Sequence, residues 1–203
     1  MKIAIIGAGN VGAALGKGWS AKGHDVVYGV RGEGSKRPDD PAARTAPVAE
    51  AAHGAEVVVL TVPYGALEAA IGSLGDLTGK IVFDCTNPVG AGFRSSAPAG
   101  SSAGQQVAQW AKGARVVKVF NTTGFNVMLD PKFGNEAATM FHCGDDAEAK
   151  AVAARLSADL GFEPFDAGPL SQSDLLEHLA LLWISTAIAH GHGRDMAFRM
   201  VKR

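Results

Sequence analysis

The chain opens on a short apolar run, Lys2-Ile-Ala-Ile-Ile6, that passes without a break into Gly7-Ala-Gly-Asn-Val-Gly12. Apolar residues then recur at helical spacing through Val11, Ala14, Leu15 and Trp19, and a second apolar run, His24-Asp-Val-Val-Tyr-Gly-Val30, follows. Strand, glycine turn, helix and strand in that order leave few folds open. The three glycines serve different purposes. Gly7 permits the tight turn off the strand, Gly9 removes a side chain where a pyrophosphate must approach backbone amides, and Gly12 lets the helix pack closely on the sheet. The phosphates would meet the helix N-terminus, whose free N–H groups and positive dipole end favour anions. The stretch reads as a dinucleotide site.

The end of the second strand selects the cofactor. An Asp or Glu there would accept hydrogen bonds from a ribose 2′-hydroxyl, whereas a 2′-phosphate calls for positive charge. Arg31 ends this strand, Ser35, Lys36 and Arg37 follow, and the nearest carboxylate, Glu33, lies beyond it. The expectation is NADP(H).

Downstream, residues 32–46 read as a loop, 47–53 as a short helix, and 56–61 as a continuous apolar strand that stops at Val62-Pro63. Residues 64–74 carry a helical pattern and 80–84 a fourth strand. This alternation predicts an α/β fold, a Rossmann-type doubly wound parallel sheet. A Gly, Ala, Ser and Pro stretch over 89–104 would emerge at the carboxyl edge of that sheet, where such folds bind ligands. It is expected to cover the nicotinamide half, with Phe93 and Arg94 as its bulky and charged members. Residues 105–112 read as a helix and 114–120 as a fifth strand ending in Asn121-Thr-Thr-Gly-Phe-Asn126, whose amides and hydroxyls suit a carboxamide or plain turn chemistry. A strand over 138–143, a helix capped by Asp145 or Asp146 and running to Leu160, and a last strand over 163–166 complete a unit of residues 1–170.

From Ser171 the pattern is helical, broken at His190-Gly-His-Gly193 and resumed over 194–203, so that 171–203 forms a C-terminal helical segment rather than a domain of its own. Leu175, Leu176, Leu179, Leu182, Trp183 and Ala187 leave almost no polar face, which predicts burial either under the sheet or against a second copy of the chain, the homodimer being the favoured expectation.

A net charge of −1 gives no sign of a nucleic-acid or membrane partner, and no apolar run reaches the roughly 18 residues of a membrane span. With no signal-peptide pattern at the start, the expected location is cytoplasmic. Cys85 and Cys143 read as buried free thiols. The six histidines show no metal-ligand spacing, so no metal is expected. There is no GxSxG and no Ser/His/Asp set, and no catalytic side chain is assigned.

Several strings together resemble one family, the NADPH-dependent reductases of the deazaflavin coenzyme F420, and the related cytoplasmic domain of the ferric reductases. They are Gly7-Ala-Gly-Asn-Val-Gly12, Arg31 after the second strand, Thr61-Val-Pro63, Asn87-Pro88, Phe120-Asn-Thr122, Cys143-Gly-Asp-Asp146 and Asp166-Ala-Gly-Pro-Leu-Ser171. The resemblance implies that Gly9, Asn10 and Val11 bind the pyrophosphate, Arg31 with Ser35 and Lys36 the 2′-phosphate, and Val62 and Pro63 the adenosine side, with Thr61 joining that set. Asn87, Asn121, Thr122 and Thr123 would lie near the nicotinamide, and Met196-Ala-Phe-Arg-Met-Val201 would line the second coenzyme's pocket. The implied chemistry is direct hydride transfer between two stacked rings, which needs orientation more than an acid or base. The acceptor would be coenzyme F420. An NADPH-dependent flavin or ferric reductase and a non-catalytic NADP-binding sensor are the alternatives. Where deazaflavin reductases tend to carry histidine and proline, this chain has Asn121 and Gly124, and Phe120-Asn-Thr122 stands closer to the ferric reductases.

Overall fold

A computed structural model of the chain describes residues 1–32 and 43–203. The opening stretch forms β1 (Lys2–Ile6), α1 (Asn10–Ala21) and β2 (Asp25–Val30). There follow β3 (Arg44–Pro47), α2 (Val48–Gly54), β4 (Val57–Leu60), a 3-10 turn (Tyr64–Ala66), α3 (Leu67–Gly72) and β5 (Ile81–Asp84). Then come α4 (Ala103–Trp110) and β6 (Arg115–Val119). The strands lie in the order β3-β2-β1-β4-β5-β6, all parallel. Alternate residues feed two cores: Ile3, Ile5, Val57, Val59 and Phe83 on one face, Ala4, Ile6, Val58, Leu60 and Val82 on the other. A sheet covered on both sides has no polar face, which is why these strands read as unbroken apolar runs.

Two features depart from the expected sheet. β3 falls mostly within the stretch read as a loop, with Pro47 taken from the one read as a short helix. Its Arg-Thr-Ala-Pro sequence carries no apolar signal because it is an edge strand, and Pro47 is tolerated at its end. Beyond β6 the chain forms α5 (Phe125–Leu129) and a small hairpin, β7 (Lys132–Phe133) with β8 (Glu136–Ala137). It then re-enters the sheet as β9 (Thr139–Gly144), antiparallel to β6. The connection between the two strands is taken up by α5 and the hairpin and holds no helix crossing the sheet face, so β9 starts from the edge where β6 ends and runs antiparallel to it. α6 (Ala147–Asp159), capped by Asp146 as expected, returns the chain to β10 (Glu163–Asp166), parallel to β9.

The C-terminal segment is helical over α7 (Ser173–Ile184) and a π-helical turn (Ser185–Ala189). The helix expected over 194–203 is absent. Glycines 191 and 193 take the left-handed conformation, and the tail lies extended against β9. There the Thr139 amide donates to the Phe198 carbonyl at 3.0 Å, the Met200 amide to Thr139 Oγ1 at 2.9 Å, and Trp183 Nε1 to the Met196 carbonyl at 2.8 Å. No helix among the described residues is long and apolar enough to cross a membrane.

Candidate dinucleotide-binding site

The glycine turn is built as its spacing requires. Gly7 has φ +115°, and a Cβ at Gly12 would lie 2.1 Å from the Gly7 carbonyl oxygen and 2.7 Å from Thr61 Oγ1. A Cβ at Gly9, by contrast, would meet nothing within 4 Å. Gly9 is the residue before the first turn of α1, and the turn is left open on the side a ligand would take. Thr61 acts on the turn itself, donating its hydroxyl hydrogen bond to the Gly7 carbonyl at 2.7 Å.

A cleft of about 320 Å³ runs from this turn along the carboxyl ends of β1, β2 and β4. Gly7, Gly9 and Arg31 line it together with the apolar side chains of Val48, Val62, Pro63, Ala66 and Ala70. Arg31 is exposed and has no ion-pair partner among the described residues. Asn10 is exposed and Val11 half-buried beside the turn. Ser35 and Lys36 lie outside the described residues.

The remaining candidates sit at the ends of β5 and β6. Asn87 and Asn121 form a reciprocal pair: Asn87 Nδ2 donates to the Asn121 carbonyl at 2.8 Å, and Asn121 Nδ2 donates to Asn87 Oδ1 at 3.0 Å. Thr122 is buried beside them. Asn121 Oδ1 and Thr123 Oγ1 are buried without a hydrogen-bond partner among the described residues. Asn126 Oδ1, at the end of the same stretch, is likewise without one, although buried polar atoms normally have partners. The loop is launched by Phe120, which is buried in the left-handed conformation at φ +58°. The rings of Trp19, Phe83 and Phe162, with centroids 5.5 to 6.4 Å away, hold it there.

Strand order therefore lays the candidates in a row: Arg31 after β2, the glycine turn after β1, Thr61-Val62-Pro63 after β4, Asn87 after β5 and Asn121 to Thr123 after β6. Four strand spacings separate the ends, roughly 19 Å. The row crosses the switch point between β1 and β4, where the chain order reverses and such sheets bind ligands.

Beneath this row lies a group that the sequence pattern did not assign. Lys118 is fully buried, and its ammonium donates to Asp84 Oδ2 at 2.8 Å and to the Thr86 carbonyl at 2.6 Å, and pairs with Glu177 Oε1 at 2.8 Å. Burial alone would lower the Lys118 pKa, but the carboxylates of Asp84 and Glu177 outweigh it and hold the value above the ordinary lysine range. A signal did exist for Lys118, which interrupts the apolar run of β6, whereas Asp84 stands at the end of β5 and Glu177 beside His178 on a helix that also carries Asp174. The two cysteines are buried and free, and desolvation pushes the Cys143 thiol up to about 12 and that of Cys85 well above its ordinary value. Neither is a nucleophile in this state.

Residues 2–88 match the model of the NADP oxidoreductase coenzyme F420-dependent family. The F420-dependent NADP reductase of Methanothermobacter marburgensis is 30% identical over 210 residues, covering 93% of each chain. The metalloreductase STEAP3 of Rattus norvegicus is 26% identical over 89% of this chain and 36% of its own length. Among solved structures, a protein of Arthrobacter sp. FB24 described as an F420-dependent NADP reductase superposes over the whole of both chains with a TM-score of 0.90 at 30% identity.

Proposed function

The chain belongs to the coenzyme F420-dependent NADP oxidoreductases, and from that premise we propose that it passes a hydride between NADP(H) and coenzyme F420. The observation that carries the reading is the row of candidates along the carboxyl edge, basic at the Arg31 end and lined with orphaned acceptors at the Asn121 end. When bound, NADPH supplies the hydride and the deazaflavin takes it together with a proton, leaving NADP⁺ and the reduced deazaflavin.

This chain's residues hold and orient. The backbone at Gly9, Asn10 and Val11 offers the first N–H groups of α1 to a pyrophosphate. Arg31 offers a guanidinium to the 2′-phosphate, with Ser35 and Lys36 assigned to the same role. Val62 and Pro63 wall the adenosine side, while Thr61 keeps the turn closed beneath it. At the other end, Asn121 Oδ1 and Thr123 Oγ1 are acceptors for a carboxamide N–H₂, Asn87 holds Asn121 through their reciprocal pair, and Thr122 is assigned to the same nicotinamide end. No acid or base is required, because the work is positioning.

Residues 1–170 are the cofactor-binding unit, and residues 171–203 are an appendage that packs on it and faces the acceptor. The exposed side chains of Leu175, Leu182 and Ile188, each at least half accessible, support a homodimer through α7. A cytoplasmic setting suits a protein that works on NADP(H). A second reading, reduction of a flavin or a ferric complex, is favoured by Asn121 itself, since deazaflavin reductases tend to carry histidine there.

Replacing Arg31 by alanine tests the cofactor assignment. A guanidinium–phosphate contact is worth about 1.5–3 kcal/mol. The preference for NADPH over NADH should therefore fall roughly tenfold or more. An unchanged ratio would rule out the role given to Arg31.

A further inference from the structure

α7 meets the site through its buried polar groups. Glu177 is 1% exposed, and besides Lys118 it accepts hydrogen bonds from the Ala103 and Gly104 amides at the head of α4, each at 3.1 Å. One residue earlier, the Leu176 carbonyl accepts from Asn121 Nδ2 at 3.1 Å. The approach is close: Ser102 Oγ and Ser173 Oγ are 2.6 Å apart, and a Cβ at Gly104 would lie 2.8 Å from the Ser173 Cβ. Lys118 carries the connection onward through the Thr86 carbonyl, and Asp84 accepts from both the Thr86 amide and its hydroxyl, at 2.9 and 2.8 Å. The next residue is Asn87, the partner of Asn121.

We infer that Glu177 is a positioning residue for hydride transfer, acting with Lys118 as a clamp by which helix α7 sets the Asn87 and Asn121 loops at the nicotinamide end. The inference rests on the NADP(H) reading of the site. Two buried carboxylates against one ammonium leave an excess negative charge, which the positive end of the α4 dipole offsets. Buried ionic groups of this kind are poor sources of net stability compared with apolar packing. This cluster instead spends its hydrogen bonds on the backbone of segments that frame the site, so its product is a fixed loop geometry. Among the described residues, the Arg31 end of the cleft has no such tie to α7.

Two experiments test this. In the wild-type chain, hydrogen exchange is compared with NADP⁺ and with adenosine 2′,5′-bisphosphate, which carries the 2′-phosphate but no nicotinamide. NADP⁺ is expected to slow exchange in α7 and at the head of α4 as well as at residues 86–87 and 121–123, while the bisphosphate slows only the glycine turn and its surroundings. Equal protection of α7 by both ligands, or by neither when both bind, overturns the inference. If neither ligand binds, the cofactor reading falls and takes the inference with it. Glu177→Gln is the second test: NADPH affinity should stay within about twofold while the single-turnover hydride-transfer rate falls at least about tenfold, since small misplacements are costly in such reactions. A folded variant with an unchanged transfer rate overturns the inference. Should that variant fail to fold, the wild-type exchange comparison decides.

Discussion

Gly9 and Gly12 are three residues apart in one turn and are glycine for opposite reasons. At Gly12 the space is already filled by protein, with the Gly7 carbonyl and Thr61 Oγ1 where a methyl group would go. At Gly9 the space is open, and its backbone, with φ −75° and ψ −174°, accepts any residue. The two alanine variants should therefore separate folding from binding. Gly12→Ala is expected to cost about 1–3 kcal/mol through overpacking against backbone that cannot move aside, visible as a lowered Tm with or without ligand. Gly9→Ala should leave the Tm of the free protein unchanged and weaken NADPH binding, because its methyl group fills the space assigned to the pyrophosphate. A Gly9→Ala variant that bound NADPH normally would place the pyrophosphate elsewhere.

Among the elements, α7 governs what the neighbouring loop can contain. Gly124 has φ −78°, within the range proline adopts, so its backbone alone would allow the proline that deazaflavin reductases tend to have there. The obstacle is packing: a Cβ at Gly124 would lie 2.7 Å from a ring carbon of Trp183 and 2.5 Å from Asn126 Oδ1. Gly124→Ala is therefore expected to destabilise by about 1–3 kcal/mol, and combining it with Trp183→Leu should recover part of that loss. Additive losses in the two changes, measured by urea unfolding, would show that Trp183 is not the constraint. Such tertiary contacts mark the limit of what the sequence made legible. The βαβ start and Arg31 were readable because a glycine turn and a charge at a strand end are local signals. β3 was not, since an edge strand needs no apolar run. The direction of β9 follows from where β6 ends, and the extended tail follows from the seat that Trp183 and Thr139 offer it. Lys118 could be seen as a misfit in its own strand, but only the fold brings Asp84, Lys118 and Glu177 together from positions far apart in the chain.

At the scale of the whole molecule, one sheet edge carries the cofactor row, and the C-terminal helix touches it with one face while showing Leu175 and Leu182 on another. The homodimer proposed for that second face makes a simple prediction. Light scattering at micromolar concentration should return twice the chain mass, and a Leu175→Glu, Leu182→Glu variant should return the mass of one chain. A monomeric wild type would remove the proposal. The function itself is tested by NADPH oxidation in the purified protein, followed by absorbance with coenzyme F420, FMN and a ferric chelate each offered as acceptor. Hydride transfer from NADPH to the deazaflavin predicts turnover with coenzyme F420, one NADPH consumed for each deazaflavin reduced. Turnover confined to FMN or iron, or no oxidation of bound NADPH with any acceptor, would contradict it.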